Sequence, residues 1–325
     1  MPRARWNTAF ISIHSMPDTD DIVRLRPERN QLNPEIPYHF MQEEEPGENG
    51  NLQKINTIFL TGKECSFKCL MCDLWKNTLT YATPPGAILK QIDYALARLP
   101  KAEVIKLYNS SNFFDSKAIP LSDYTGIIER LKPFKKVIVE NHPNLCGQTC
   151  VDFNEQLNGK LEIAMGLETI HPEVLPKLNK KLTPEDFKKA AAFLERNKIQ
   201  TRAFVLLNPP FLRDEKENIE WAFKTVKFAF ECGVGTCSII PTRSGNGIMD
   251  MLEKTGEYVP PPLRALEEVF ERSLALQQGR VFADTWDIGF LSDCAKCFEA
   301  RKGRLEKMNL TQKFQGKINC IVCTG

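Results

Sequence analysis

The sequence predicts an α/β protein built on a parallel sheet, and the alternation of two kinds of segment carries that prediction. Six short apolar segments have the length and composition of strands, and stretches with apolar residues at helical spacing separate them. Strands that alternate with helices in this way form parallel sheets with right-handed crossovers. The six predicted strands cover residues 55–60, 104–108, 137–140, 161–165, 203–207 and 237–240.

The segments between the strands show helical signals. Residues 88–99 and 122–131 repeat apolar side chains at helical spacing. Thr183 has the features of a helix start, because a proline follows it and two acidic residues come next. Two more helices are predicted over residues 219–230 and 262–277.

Composition divides the chain into three parts. Residues 1–50 contain many prolines and charges without helical or strand periodicity, so they are predicted to form an arm laid over the domain. Residues 51–279 are predicted to form the core, and residues 280–325 a cysteine-rich extension. The arginines of the arm, Arg24, Arg26 and Arg29, are predicted to lie on a solvated surface.

The bulk properties limit the class of protein. A chain of 325 residues is long for one domain, but α/β barrels of this size form a single unit. The net charge of +2 gives no overall attraction to nucleic acid, so such a partner has to be argued from local patches. Eleven cysteines without a recognisable signal peptide predict a reducing cytoplasm and cysteines that bind metal. The apolar run over residues 9–13 is far too short to cross a membrane, so no membrane partner is expected.

The loop after the first predicted strand carries Cys65, Cys69 and Cys72 in a Cys-x3-Cys-x2-Cys pattern. Thiolates are typical ligands of iron–sulfur clusters. A cluster of four irons takes four ligands, and this loop supplies three, so the fourth iron is left for a ligand that is not protein. The alternatives are a zinc loop or three unrelated cysteines, but zinc sites usually combine Cys-x2-Cys pairs into four protein ligands.

This cysteine pattern resembles the signature of the radical S-adenosylmethionine (SAM) superfamily. The resemblance implies a partial (β/α)6 TIM-like barrel with a 4Fe–4S cluster on the three cysteines and SAM on the open iron. It further implies that an electron donor such as flavodoxin or ferredoxin drives cleavage of SAM to methionine and a 5′-deoxyadenosyl radical, which abstracts a hydrogen atom from the substrate. Met71, where many members have an aromatic residue, would offer an apolar surface to the adenine of SAM. In such barrels the chemistry occurs at the carboxyl ends of the strands.

Small polar residues follow the second predicted strand. Asn109, Ser110 and Ser111 stand where the superfamily often has a Gly-Gly-Glu-like motif that binds the amino group of SAM, and their oxygen atoms suit an ammonium group. The alternative is an ordinary turn rich in Asn and Ser. Pro241 follows the sixth strand, where the family's residues flank the adenine.

Two glutamates are the candidate catalytic residues. Glu168 lies in a Gly-Leu-Glu-Thr segment that resembles a motif of the group containing the Elongator catalytic subunit and the methylthiotransferases. That resemblance implies that Glu168 hydrogen-bonds SAM or its surroundings, whereas a helix-capping or salt-bridged glutamate is the alternative. Glu140 ends the third strand and is expected to point at the same mouth of the barrel.

The extension contains two Cys-x2-Cys pairs, Cys294 with Cys297 and Cys320 with Cys323. Four thiolates would make a tetrahedral zinc site, but an auxiliary iron–sulfur cluster uses the same ligands. The segment between the pairs is predicted to be a basic loop that touches RNA phosphates, with a solvated face as the alternative. Its basic residues are Arg301, Lys302, Arg304, Lys307, Lys313 and Lys317.

Further stretches narrow the resemblance. Residues 107–115, 166–169, 206–212 and 256–262 resemble the radical SAM subunit that forms archaeosine in transfer RNA, and its uncharacterised relatives. The sequence therefore predicts a radical SAM enzyme with an RNA base as the leading substrate and a small metabolite or peptide as the alternative. A metal-bearing nucleic-acid-binding protein that uses the barrel as a scaffold is the non-enzymatic alternative.

Overall fold

The computed structural model describes residues 17–323 and contains one eight-stranded sheet whose strands follow one another in chain order. The first strand is antiparallel to the second, and all later neighbours pair in parallel. The strands are β1 His39–Pro46, β2 Leu52–Phe59, β3 Val104–Tyr108, β4 Lys136–Glu140, β5 Lys160–Glu168, β6 Gln200–Leu207, β7 Thr236–Pro241 and β8 Arg280–Ala283.

Helices occupy the connections between the strands. Thr183 caps the helix that was predicted to begin there, since its hydroxyl accepts from the Asp186 amide at 3.1 Å. The helices are α1 Thr19–Arg24, α2 Ala87–Leu96, α3 Tyr124–Leu131, α4 Gln148–Glu155, α5 Val174–Lys177, α6 Pro184–Arg196, α7 Glu215–Glu231, α8 Ile248–Lys254, α9 Leu263–Ala275 and α10 Phe298–Thr311. Within residues 17–323, no helix combines the length and the apolar character needed to cross a membrane.

The sheet is strongly curled, as expected for a partial barrel. Arg202 of β6 donates to Glu45 of β1 at 2.8 Å. Five strand spacings of about 4.8 Å would separate β1 from β6 in a flat sheet, so this contact requires the sheet to close on itself. The predicted α/β fold of a partial barrel with a cysteine-rich tail is confirmed.

The two faces of the sheet differ in polarity because successive side chains point to opposite faces. The outer face is apolar and packs on the helices, as shown by the fully buried Ile58, Leu107 and Val139. The inner face carries charges at the amino ends of the strands. Arg202 Nε donates to Glu162 at 2.8 Å, and Lys136 donates to the same carboxylate at 2.5 Å.

This buried ion network closes the amino end of the barrel. The side chains of Arg202 and Glu162 are 3% and 1% exposed. Burial by itself would raise the pKa of Glu162, but Arg202, Lys136 and Arg280 outweigh it and lower that pKa to about 2. The Glu162 carboxylate is therefore ionised in the folded protein, and its cationic partners stabilise this buried charge.

The sheet extends beyond the core that composition predicts. β1 comes from the predicted arm and β8 from the predicted extension. The described part of residues 1–50 contains α1 and β1, although its sequence shows no helical or strand periodicity. The alternation of β1 is hidden because Glu43 and Glu45 point inwards and pair with Lys106.

The last helix covers the outer edge of the sheet. The Asn309 side-chain amide accepts from the Ala283 N–H at 2.9 Å and donates to its carbonyl at 2.8 Å. Gln312 makes the same pair of bonds with Val281. Two side-chain amides thus replace a ninth strand and satisfy the exposed edge of β8, where an unpaired row of backbone groups would invite aggregation.

Candidate active site

The cysteine loop lies directly after β2, at the carboxyl ends of the parallel strands. Its backbone is held from three sides. The Leu70 N–H donates to the Leu178 carbonyl at 2.9 Å, Asn179 Nδ2 donates to the Lys68 carbonyl at 2.8 Å, and Asn246 Nδ2 donates to the Leu70 carbonyl at 2.8 Å. The loop therefore has one conformation fixed by residues far away in the chain.

The thiols of this loop are buried or half-buried. Burial raises the pKa of Cys69 to about 11, with Lys180 opposing that rise. Burial also raises the pKa of Cys72 well above its usual value, and the neighbouring Cys69 adds to the effect. Asn112 Nδ2 lies 3.1 Å from Cys65 Sγ and donates to it. Metal binding would deprotonate these thiols.

The polar turn after β3 is organised by Glu140. Its Oε1 accepts from the Asn109 N–H at 2.6 Å, and the backbone of Ser110 and Ser111 also donates to this carboxylate. Burial nevertheless raises the pKa of Glu140 to about 7. Among the residues that the structure describes, both polar atoms of the Asn109 side chain and Ser111 Oγ are buried without a hydrogen-bond partner. Buried polar atoms normally have partners, so these atoms fit a polar ligand.

Ser110 has a different environment from its neighbours in this turn. Its φ of 53° lies in the left-handed region, and its Oγ is 2.8 Å from the Tyr38 hydroxyl. The turn is thereby tied to the segment that precedes β1.

Glu168 forms a buried ion pair with Lys180. Lys180 Nζ lies 2.6 Å from Glu168 Oε1, and the two side chains are 8% and 10% exposed. A bulge in β5 and a φ of 65° at Glu168 turn its side chain into this position. A side chain at Gly166 would collide with the Glu168 carboxylate and the Lys180 ammonium group, so glycine leaves room for this ion pair. The salt-bridged glutamate that the sequence left open as an alternative is thus present, and the pair faces Cys69.

His142 connects the segment that carries Lys180 to the cysteine loop. The ring of Phe67 stacks on the His142 ring at 3.8 Å. His142 Nδ1 accepts from the Asn144 N–H, and its Nε2 lies 3.0 Å from the Lys180 carbonyl. Burial and the Lys180 charge lower the pKa of His142 to about 4, so the neutral ring serves to support the loop.

Met71 and Pro241 also lie at this edge. Met71 is half-buried between two apolar clusters that include Leu70 and Leu206. Pro241 ends β7 and pairs in register with Leu207. Their predicted contact with the adenine of SAM stays a prediction.

The N-terminal arm contacts the cysteine loop through buried charges that sequence reasoning missed. Arg26 Nη1 donates to Glu64 Oε1 at 2.7 Å, and Arg29 and Lys68 donate to the same carboxylate. The Arg26 guanidinium lies over the Trp75 ring at 4.7 Å. The prediction that Arg26 and Arg29 lie on a solvated surface is wrong, because their side chains are 8% and 25% exposed and both pair with Glu64.

The arm arginines look like surface residues in the sequence because their partner stands 35 to 38 positions away. The one local signal was Glu64, an acid that stands between Lys63 and Lys68 in the cysteine loop. Arg24 is the exception among the three arginines, since its side chain is 58% exposed as predicted.

The four tail cysteines converge, as the paired spacing predicts. The sulfurs of Cys294 and Cys320 are 4.0 Å apart, and those of Cys297 and Cys323 are 3.6 Å apart. All four lie within 4.8 Å of one another. In residues 17–323, no other group of three or more Cys, His, Asp or Glu ligand atoms is this compact.

Most of the segment between the two cysteine pairs is the helix α10, so the prediction of a basic loop is wrong for Phe298–Thr311. Arg301 and Arg304 are buried because they pair with Glu267 and Glu271 of α9. Arg304 Nη2 lies 2.6 Å from Glu271 Oε1. These two arginines hold α10 on the barrel and are not available to phosphate groups.

Solved structures resemble this fold. Spore photoproduct lyase, a radical SAM enzyme, aligns with a TM-score of 0.52 at 12% identity, over 84% of this chain and 88% of that chain. SuiB of Streptococcus suis aligns with a TM-score of 0.51 at 13% identity, over 71% of this chain and 49% of that chain. The fold is that of the radical SAM enzymes. The fold that the resemblance of the cysteine loop implied is thus confirmed. This chain spans about half the length of SuiB.

Curated relatives agree with the narrower resemblance. An uncharacterised protein of Methanocaldococcus jannaschii is 26% identical over 285 residues, which are 81% of this chain and 78% of that protein. Archaeosine synthase subunit beta of Methanosarcina acetivorans is 23% identical over 245 residues, which are 70% of this chain and 69% of that protein. No protein-family model matches the chain.

Proposed function

We propose that this protein is a radical SAM enzyme. One observation carries the proposal: a three-cysteine loop is held rigidly at the carboxyl ends of the strands in a radical SAM fold, beside buried polar atoms that have no protein partner. A 4Fe–4S cluster on Cys65, Cys69 and Cys72 would supply the electron for reductive cleavage of SAM, delivered by a cytoplasmic donor such as flavodoxin or ferredoxin.

The residues around the loop fit such a cluster. Hydrogen bonds to the sulfurs, nearby charges and burial tune the reduction potential of iron–sulfur clusters. Asn112 supplies a hydrogen bond to Cys65 Sγ, and Lys180 is a buried cation close to Cys65 and Cys69. Three thiolates add negative charge, which Lys180 partly compensates.

The residues beside the loop also fit SAM. We assign the Asn109 side chain and Ser111 Oγ to the polar groups of the amino acid part, because these buried atoms need partners. Glu140 holds the turn through backbone N–H groups, and Ser110 is tied to Tyr38. Glu168, paired with Lys180, orients the cation beside the cysteine loop.

For the tail we propose a structural zinc ion on Cys294, Cys297, Cys320 and Cys323. Four thiolates at this mutual distance suit tetrahedral zinc, in which Zn–S bonds are about 2.3 Å. The Val322 N–H lies 3.4 Å from Cys320 Sγ and would stabilise a thiolate. Metal analysis separates zinc from an auxiliary cluster, which would add iron and sulfide.

We further propose that the substrate is an RNA base. Exposed Lys307, Lys313 and Lys317 lie on the tail with the 60% exposed ring of Phe314. Basic residues interspersed with an exposed aromatic ring suit a nucleic-acid strand. The similarity to the relative named archaeosine synthase subunit beta supports the same substrate proposal. A small metabolite or peptide remains the alternative, and salt-sensitive copurification of RNA would distinguish it.

The test of the central proposal is reductive SAM cleavage. Anaerobically reconstituted protein is expected to show an iron–sulfur absorbance and, with dithionite and SAM, to form 5′-deoxyadenosine and methionine detectable by chromatography. Protein that holds the cluster but leaves SAM intact would contradict an enzymatic role and favour the scaffold alternative.

A second prediction concerns the arm. Arg26→Ala removes one of three cations from the buried Glu64 carboxylate and exposes the Trp75 ring. A hydrogen bond to a charged group contributes about 1.5–3 kcal/mol, so the loop is expected to open more often and release iron at least severalfold faster. Iron retained during a timed chelator challenge measures this.

Arg24→Ala is the matched control in the same arm, because its side chain is 58% exposed. It is expected to retain iron like the unmodified protein. Equal iron release from both variants and from the unmodified protein would show that the arm does not position the loop.

A further inference from the structure

The barrel interior is closed at the amino ends of the strands and open at their carboxyl ends. Strand alternation places one half-buried, inward-facing residue in the carboxyl half of each strand from β2 to β7, and another directly after β8. The inward residues two positions earlier are all buried. The half-buried ring consists of Phe59, Tyr108, Glu140, Gly166, Phe204, Ile240 and Asp284.

Aromatic side chains form one side of this opening. The Phe59 and Tyr108 rings are 6.2 Å apart at 69°, and the Tyr108 and Phe204 rings are 6.3 Å apart at 83°. Trp286 continues the series, with its ring 6.4 Å from Phe59. We call Phe59, Tyr108, Phe204 and Trp286 the aromatic wall. β3 and β6 are three strand spacings apart, so the Tyr108–Phe204 contact shows that these rings meet inside the curled sheet.

The aromatic wall is held in place at both ends. Arg243 donates to the Trp286 carbonyl at 2.6 Å and to Asp284 at 2.9 Å. At the other end, the Tyr38 ring is 5.6 Å from Phe59, and its hydroxyl contacts Ser110 of the proposed SAM-binding turn. The wall therefore adjoins the cofactor site.

The rest of the opening differs from the wall. Glu140 presents a carboxyl group, and the Glu168–Lys180 ion pair occupies the space beside Gly166. Towards the amino ends of the strands, Lys106 and Arg202 pair with Glu45, so they present no free cation to the opening. Asp284, the other carboxylate of the ring, is engaged by Arg243. The opening thus combines aromatic surface on one side with the Glu140 carboxyl group on another. This combination suits a flat ring that carries N–H groups at its edge.

We propose that the aromatic wall binds the reacting part of the substrate, which is a planar nitrogen heterocycle of nucleobase size. The ring packs against Phe59, Phe204 and Trp286, and an N–H at its edge donates to Glu140. This inference rests on the proposed function, because it places the ring beside the site of SAM cleavage.

The experiment measures binding and cleavage separately. Titration of reconstituted protein with guanosine 5′-monophosphate, cytidine 5′-monophosphate and ribose 5-phosphate tests whether the ring is recognised. At least one nucleotide is expected to bind at least tenfold more tightly than ribose 5-phosphate. Trp286→Ala and Phe59→Leu are each expected to weaken nucleotide binding about tenfold, in the range of base–aromatic stacking.

Tyr81→Ala is the matched control, since Tyr81 is 52% exposed and Trp286 is 50% exposed. It is expected to leave nucleotide affinity unchanged. Nucleotides that bind no better than ribose 5-phosphate, or wall variants with unchanged affinity, would overturn the inference. Substrate-free SAM cleavage reports on the proposed function: cleavage without nucleotide binding rejects the wall alone, whereas nucleotide binding without cleavage rejects the enzymatic role.

Discussion

Replacing Cys65, Cys69 and Cys72 together with alanine is expected to remove the iron–sulfur absorbance of the loop and to abolish 5′-deoxyadenosine formation. The reason is that these three residues supply the thiol ligands of the loop, and its backbone is already fixed by Leu178, Asn179 and Asn246. The change removes ligands without removing those backbone contacts. Iron analysis, absorbance and chromatography of the SAM products measure the outcome.

Two controls separate this effect from general damage. Cys232→Ala changes a buried cysteine on α7's carboxyl end and is expected to retain the cluster. A variant with all four tail cysteines changed to serine is expected to lose the tail metal and still form 5′-deoxyadenosine. Continued SAM cleavage by the triple alanine variant would show that the loop does not hold the reactive cluster.

Arg202→Ala is expected to destabilise the protein by about 3–5 kcal/mol, the usual cost of removing one partner from a buried ion pair. Arg202 donates to Glu162 at 2.8 Å and to Glu45 at 2.8 Å, and its side chain is 3% exposed. Without it, two carboxylates lose their shared cation in the closed end of the barrel. Urea unfolding followed by circular dichroism measures the change.

Arg130→Ala is the matched surface control. Arg130 pairs with Asp93 at 2.6 Å, but that carboxylate is 56% exposed. Exposed ion pairs contribute about 1 kcal/mol or less, so this variant is expected to unfold close to the unmodified protein. If Arg202→Ala lost as little as Arg130→Ala, the inner network would not stabilise the barrel.

Local patterns were sufficient to predict the parts of this protein that depend on neighbours in the chain. The cysteine loop, the paired tail cysteines and the six central strands were each recognised from spacing or periodicity. Ligand spacing on one loop is set by chemistry over a few residues, and a strand buried under helices appears in the sequence as a short apolar run. The helix start at Thr183 belongs to the same class, because its hydrogen bonds span three residues.

Contacts between residues far apart in the chain were not predictable in this way. β1 was missed because its inward carboxylates resemble a surface segment until Arg202 is placed opposite, 157 positions later. Arg26 resembles a solvated arginine until Glu64 and Trp75 meet it. The rings of the aromatic wall are spread from β2 to the segment after β8, so only the curl of the sheet brings them together. A sequence shows which residues are charged or aromatic. How the sheet closes determines which of them are buried and which side chains they contact.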